Sequence, residues 1–304
     1  IEVGKVYQHI GFKAGNLSNG EIEIKNKYSF TNLSEFNFSW EIVTDGQVIK
    51  SGEITDLELA PNTSKKIQLD VKLDAKPATE YFLNISAKLK KEKGILPSGT
   101  KLAYEQFLLP ISKKAVLASK KDLPAVNAKE EGSMIIVEGS GFKINFSKDE
   151  ATLKSYQVDG KEMLLSGPVP NFWRAPTDND FGNGLDKRSH VWRKAGEQKT
   201  VKSATVKQMG NEVVVNFNFD INNEKKQVIA NYNSSYTVLG SGEVVVSNSF
   251  KMVKDSLPEI VRFGMNLVMP REFDQMSWLG RGPHESYQDR YTSALVGLYS
   301  GAVA

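Results

Sequence analysis

Through most of the first hundred residues, apolar and polar side chains alternate with a period of two, and this constrains the fold more than any other feature. Ile22 and Ile24 alternate with Glu21, Glu23 and Lys25. Phe36, Phe38, Trp40 and Ile42 alternate with Asn37, Ser39 and Glu41, and Asp45-Gly46 then supplies a hairpin turn before Val48 and Ile49. Ile67, Leu69, Val71 and Leu73 make another one-sided strand, followed by Tyr81, Leu83, Ile85, Ala87 and Leu89, and then by residues 102–109. Successive side chains of a strand point to opposite faces, so each of these runs buries one face only. With edges near Tyr7 and Leu57, the pattern predicts about seven short strands within about 110 residues, joined by Gly, Pro, Asn and Asp. That count and spacing predict an immunoglobulin-like β-sandwich over residues 1–112, its core formed by two inner faces.

Residues 110–129 break the pattern with two Lys-Lys pairs, Pro124 and several alanines, so residues 113–129 read as a linker. Strand signals resume at residues 134–137, 142–146 and 153–158, with Asp159-Gly160 as the next hairpin turn. Residues 185–195 are the best helix candidate, with Gly196 suited to a C-terminal cap. Alternation returns at Val213, Val215, Phe217 and Phe219, and strands are expected at 227–238, 244–250, 260–268 and 276–279. About ten strands and one short helix predict a second, larger antiparallel sandwich over residues 130–304. The βαβ alternation of a parallel sheet and a fixed-period repeat are both missing. The fold class expected is therefore all-β.

Composition narrows the partners. The net charge is +3, from 39 basic and 36 acidic residues, which creates no global field for nucleic acid. Lysines cluster at Lys88, Lys90, Lys91 and Lys93, and again at Lys113, Lys114, Lys120 and Lys121. Without aromatic residues between them they read as solvated edges or linkers rather than a binding stripe. No apolar run is long enough to cross a bilayer as a helix, so no membrane partner is expected. There is no cysteine, which removes disulfide and thiolate chemistry and leaves the compartment open between bacterial cytoplasm and periplasm. A first residue of Ile1 and a last stretch, 298–304, that stops within apolar residues suggest a piece of a longer polypeptide.

Two stretches fit no periodicity. Residues 171–184 read NFWRAPTDNDFGNG, combining aromatics, an arginine, a proline and three Asx residues in a row. Pro176 pushes Ala175 toward extended conformations, Asp178, Asn179 and Asp180 favour a tight turn, and Gly182 and Gly184 permit a sharp bend. Residues 278–290, WLGRGPHESYQDR, bunch His284, Glu285, Tyr287, Asp289 and Arg290 within seven positions. Glu285 and Asp289 have the composition of a catalytic carboxylate pair, yet two acids beside Arg290 more often make a salt-bridged structural corner, and that reading is favoured. Asp178-x-Asp180 resembles the start of a calcium loop, but Asn183 and Ser189 occupy the positions that need Gly and Glu. His9, His190 and His284 are far apart, which argues against a histidine metal site. Neither a Gly-x-Ser-x-Gly elbow nor a phosphate-binding glycine loop occurs.

The stretches FWRAPTDNDFG (172–182), WRKAG (192–196) and WLGRGPHESYQDR (278–290), with EVGKVYQ (2–8) at the start, together resemble the C-terminal part of bacterial β-galactosidases of glycoside hydrolase family two. The resemblance covers essentially the whole chain in matching order. It implies that residues 1 to about 112 are the fourth, immunoglobulin-like domain of such enzymes. Residues from about 130 would be most of the fifth, a galactose-mutarotase-like supersandwich. It also implies that the catalytic glutamates and the magnesium ligands sit on a (β/α)8 barrel that precedes this segment, so no catalytic residue and no cofactor are expected in this chain.

On that resemblance the chain is a non-catalytic portion of a retaining enzyme that cleaves terminal β-D-galactosides, shaping the mouth of the active site. Its implied partners are the barrel domain of the same polypeptide and the galactoside, in an assembly that could be homo-oligomeric. The residues expected to face substrate or barrel are Trp173, Arg174, Asp178, Asn179, Asp180, Gly182, Glu285, Tyr287, Asp289 and Arg290. Family two also includes β-glucuronidases and β-mannosidases, and the motifs favour the galactosidase branch. A different class of reading is an autonomous carbohydrate-binding or mutarotase-like module. Trp173, Trp192, Asn179 and Asp178 would supply its sugar platform. A third is a structural oligomerisation segment.

Overall fold

The structure is a computed structural model that describes residues 1–113 and 122–303. Its named sheets are all antiparallel, its helices are few and short, and the chain divides into two compact units. One comprises residues Ile1–Leu117 together with Asp274–Ala304, and the other Ala118–Phe273.

The first unit carries seven strands before residue 113: β1 (Ile10–Ala14), β2 (Glu21–Asn26), β3 (Phe36–Thr44), β4 (Gln47–Ile54), β5 (Ser64–Gln68), β6 (Phe82–Leu89) and β7 (Lys101–Leu108). They form a three-stranded sheet, β1-β2-β5, and a four-stranded sheet, β4-β3-β6-β7. The alternation specifies the core: Ile22, Ile24, Phe36, Phe38, Trp40, Ile42, Leu83, Ile85 and Leu89 are all buried. The β3–β4 hairpin closes through Asp45 and Gly46, both with positive φ (48° and 76°), the conformation that matches the twist of the flanking strands.

Three details depart from expectation. The segment around Tyr7 is not a strand edge: Glu2–Val6 form a short helix, α1, and Tyr7 is exposed. Leu57 is buried but lies in no strand. The strand expected through Leu73 stops at Gln68, and Leu69 and Val71 enter the core from irregular backbone. Gly20 is what makes room there. At φ +84° it lies against the Leu69 carbonyl, where a Cβ would sit 2.1 Å from the oxygen.

The second unit holds β8 (Val126–Glu131), β9 (Met134–Gly139), β10 (Phe142–Ser147), β11 (Thr152–Val158), β12 (Lys161–Glu162), β13 (Ser166–Asn171), β14 (Lys199–Met209), β15 (Glu212–Asn222), β16 (Val228–Leu239), β17 (Val244–Met252) and β18 (Gly264–Val268). β12-β11-β10-β9-β8 form one sheet, β14-β15-β16-β17 another, and β13 pairs with β18. The two large sheets pack through Phe146, whose ring centroid is 6.3 Å from Phe217 and 5.2 Å from Tyr236. β8 begins at Val126, inside the stretch 113–129 expected to be a linker, of which residues 114–121 lie outside the described residues. The β11–β12 turn again uses positive φ at Asp159 and Gly160.

The helix expected over 185–195 is shorter and broken. Leu185–Arg188 form one turn, α3, and then two 3₁₀ turns follow at His190–Trp192 and Ala195–Glu197. Trp192 is completely buried, and its indole N–H donates to the Pro258 carbonyl at 2.9 Å. Drawing Trp192 inward in this way overrides helical continuation. Gly196 is not a left-handed cap. It allows close approach, since a Cβ there would lie 1.7 Å from the Pro170 carbonyl oxygen.

The last pair of strands, β19 (Gln275–Gly282) and β20 (Leu295–Ala302), form an antiparallel hairpin. It groups with the first unit, whereas residues 130–304 were expected to stand together.

Candidate functional site

The first aperiodic stretch leaves β13 at Asn171, whose side-chain oxygen accepts from the Trp173 amide at 3.1 Å. Residues 172–177 have no regular secondary structure, and Thr177 is extended (φ −88°, ψ 171°). A one-turn helix, α2 (Asp178–Gly182), follows. Thr177 and Asp180 close it with a reciprocal capping box. The Thr177 amide donates to Asp180 Oδ2 at 2.7 Å, and the Asp180 amide donates to Thr177 Oγ1 at 3.4 Å. Such a box satisfies helix-start amides that otherwise lack partners.

Arg174 locks the same carboxylate from the other side. Its Nη1 donates to Asp180 Oδ2 and its Nη2 to Oδ1 at 3.2 Å, a forked pairing that fixes both groups in one plane. The Arg174 guanidinium, followed by the Thr177 amide, holds the Asp180 carboxyl down at about 2. Beneath the loop, the Phe172 ring lies 5.9 Å from Trp192 and 5.0 Å from Phe250. Beyond it, Gly184 takes φ +72° and starts α3, which Arg188 ties down through Glu259 Oε1 (2.7 Å) and the Asn183 carbonyl (2.7 Å).

Of the residues expected to act here, Arg174 and Asp180 come together. Trp173 is half-buried, and Asp178, Asn179 and Gly182 are exposed along α2. Trp192 is core, and so cannot be a sugar platform. Thr177 was not anticipated, although Thr-x-x-Asp directly before a helical turn is its signature. A cleft of about 570 Å³ opens beside the loop, with Trp173, Arg174, Asn171, Asn266, Arg193 and Lys194 among its walls. Arg193 and Lys194 lie between the two 3₁₀ turns and Asn266 in β18, too far apart in sequence to be joined by a local motif.

The second stretch sits between β19 and β20. Glu285 and Arg290 form an exposed ion pair at 2.8 Å, and the backbones of Tyr287 and Arg290 exchange two hydrogen bonds. The Arg290 guanidinium also lies 5.7 Å from the Tyr287 ring centre. Asp289 is exposed. The structure thus engages Glu285 with a cation and pairs it with no second carboxylate. Residues far away in sequence anchor this hairpin. Both oxygens of Glu2 accept amides, from Thr292 at 3.0 Å and Ser293 at 2.8 Å, and these bonds, Ser293's foremost, lower its pKa to about 2. Gln106 of β7 accepts from the Val296 amide (2.7 Å) and donates to its carbonyl (2.9 Å). Periodicity in the sequence carries no signal for Glu2 or Gln106.

Among the described residues, no group of three or more His, Asp or Glu gathers into a metal-binding set, and none of their helices is long and apolar enough to cross a membrane. The two stretches belong to different compact units.

The fold and these loops define an all-β protein of sandwich units, each bearing one aperiodic, arginine-containing loop. Residues 138–304 match the family described as β-galactosidase small chain, and residues 22–110 match β-galactosidase domain 4. The chain belongs to the β-galactosidase small-chain family. It is 34% identical over 304 residues to a β-galactosidase of Priestia megaterium, covering 99% of this chain and 29% of that one. It is 29% identical to a β-galactosidase of Psychromonas ingrahamii, covering 97% and 30%. With a β-galactosidase of Clostridium acetobutylicum the identity is 28%, covering 98% and 32%. The chain therefore spans about a third of the length of these relatives.

Proposed function

We propose that this chain is the non-catalytic C-terminal portion of a β-galactosidase that hydrolyses terminal β-D-galactosides. Its loops would shape the mouth of an active site carried by a separate barrel domain. The observation that carries this reading is the pattern of likeness: β-galactosidases match nearly all of this chain, while the match occupies about a third of each of them. The state of the acids supports it. Asp180 is held by Arg174 and Thr177, which keep its carboxyl ionised, and Glu285 is ion-paired with Arg290 rather than set beside a second carboxylate.

What the loop offers is positional. Arg174, Asp180 and the Thr177 cap narrow its conformations before any partner arrives, so docking costs little further entropy and places the loop with small error. Magnesium, nucleophile and acid/base would be supplied by the barrel. The barrel, the galactoside and a homo-oligomeric parent are the partners proposed.

The test is a graft. The purified chain alone should not turn over a chromogenic galactoside. The same chain, replacing the matching stretch of the Priestia megaterium enzyme, should support turnover. Turnover by the isolated chain that survives mutation of every suspected contaminant overturns the proposal, as does a folded but inactive graft.

A further inference from the structure

The cleft beside Trp173 has the makings of a ligand site in its own right. Its volume, about 570 Å³, falls in the range of small-molecule pockets. One wall is the half-buried Trp173. Phe172, its neighbour, makes ring contacts throughout the core, whereas Trp173 makes none with the described residues. Its indole N–H likewise donates to no described residue. A half-exposed indole with no ring partner, lining a cleft, suits the apolar C–H face of a sugar ring, and its N–H suits a hydroxyl.

Charge sets the second requirement. Arg193 and Lys194 line the cleft, are exposed, and pair with no described acid. Arg174 adds a guanidinium whose charge Asp180 neutralises. Glu197 is the one acid in the lining, so the two unpaired cations leave an excess of positive charge. Asn171 and Asn266 bridge across the β13–β18 pair, amide to amide, at 3.2 Å and present further hydrogen-bonding groups to the cavity. Arginine and lysine together suit a carboxylate or phosphate, the arginine by its fork and the lysine as a point charge.

We propose that this cleft binds a small carbohydrate carrying a negative charge, a uronate or a sugar phosphate. The ring would lie against Trp173, and its anionic group would sit between Arg193 and Lys194. All of the lining belongs to the second unit, and the titration reads binding to this chain, whereas the graft reads turnover, so the two readings fail separately.

The test is a titration of the whole chain followed by the indole N–H signals of its four tryptophans, with Trp173→Phe identifying the relevant signal. Galacturonate and galactose 6-phosphate are the probes, and galactose and inorganic phosphate the controls. Saturable movement of the Trp173 signal is expected with one or both anionic sugars, and binding of each control should be weaker by about tenfold or more. The Arg193→Ala, Lys194→Ala double variant changes only exposed side chains and should fold as the parent does, with that movement lost. Preference between the uronate and the sugar phosphate identifies the anion. Galactose binding as tightly as the anionic sugars overturns the proposal. So does phosphate alone doing so, an unaffected double variant, or no saturable movement of the Trp173 signal.

Discussion

Each aperiodic stretch contains an arginine–carboxylate pair, and the two pairs do different things. Arg174 and Asp180 are drawn into their loop, with side chains 26% and 11% exposed, and the carboxylate is shared with the Thr177 amide and hydroxyl. Arg290 and Glu285 stand out in solvent, 50% and 65% exposed, with the carboxylate engaged by the guanidinium alone. In the first loop the ion pair is part of the hinge between an extended segment and a helical turn, so losing it releases backbone as well as charge. In the second, the backbone is held by groups from other elements and the ion pair is an addition. Similar residues in a similar density therefore carry different weight according to what else grips the chain.

The largest expected effect comes from beneath the first loop. Phe172 is 1% exposed and packs on Trp192, Tyr232, Phe250 and Phe263. Phe172→Ala removes the ring around which these aromatics are arranged, and should cost about 3–5 kcal/mol in urea unfolding. The second loop has no counterpart. The Trp278 ring lies 5.5 Å from that of Tyr299, tilted, beside exposed Leu279 and Leu298, so truncating it should cost clearly less.

The strands were legible because their physics is local: a half-buried strand must alternate, and β6 and β3 as far as Ile42 do so. The two Asp-Gly turns were equally legible, since both of their residues reach positive φ. The helix over 185–195 was misread because Trp192 answers to Pro258, 66 positions away, and Gly196 to the carbonyl of Pro170. Both demands come from packing that helical spacing does not encode. The aperiodic loops stood out as unusual, and the Arg174–Asp180 pairing lies within one short stretch. The cleft beside that loop was hidden because its walls come from three separated segments. The grouping of the last hairpin with the first unit was hidden for the same reason, as Gln106 and Val296 meet only through tertiary structure.

A smaller effect follows from Asp180→Asn, which breaks the forked pairing with Arg174 while keeping most of the cap geometry. The folded carboxyl titrates at about 2, below the ordinary 3.8. A lowered folded value means that the stabilisation is fully present above the unfolded value, near 4, and is lost as pH falls through 2. Thermal melting of parent and variant should differ most at neutral pH, with the variant lower, and the gap should narrow from about pH 4 toward pH 2. A gap that stays constant with pH would mean that Asp180 acts through shape alone, and that the two loops differ less than argued above.

The smallest effect sharpens the contrast most. If distant groups rather than its own ion pair hold the second stretch, removing that pair should be nearly silent. Glu285→Gln deletes an exposed interaction of a kind worth less than about 1 kcal/mol, so stability should stay close to the parent's. Glu2→Gln is the matched comparison. Its carboxylate accepts the Thr292 and Ser293 amides with both oxygens, and an amide side chain offers only one acceptor. Hydrogen exchange at Thr292 and Ser293 should therefore quicken in Glu2→Gln and stay at the parent's rate in Glu285→Gln. Because Glu2 titrates at about 2 in the folded state, the parent's protection at these amides should persist at pH 4 and fade only as pH approaches 2. Faster exchange in Glu285→Gln would give the motif's own ion pair the anchoring role assigned here to the other end of the chain.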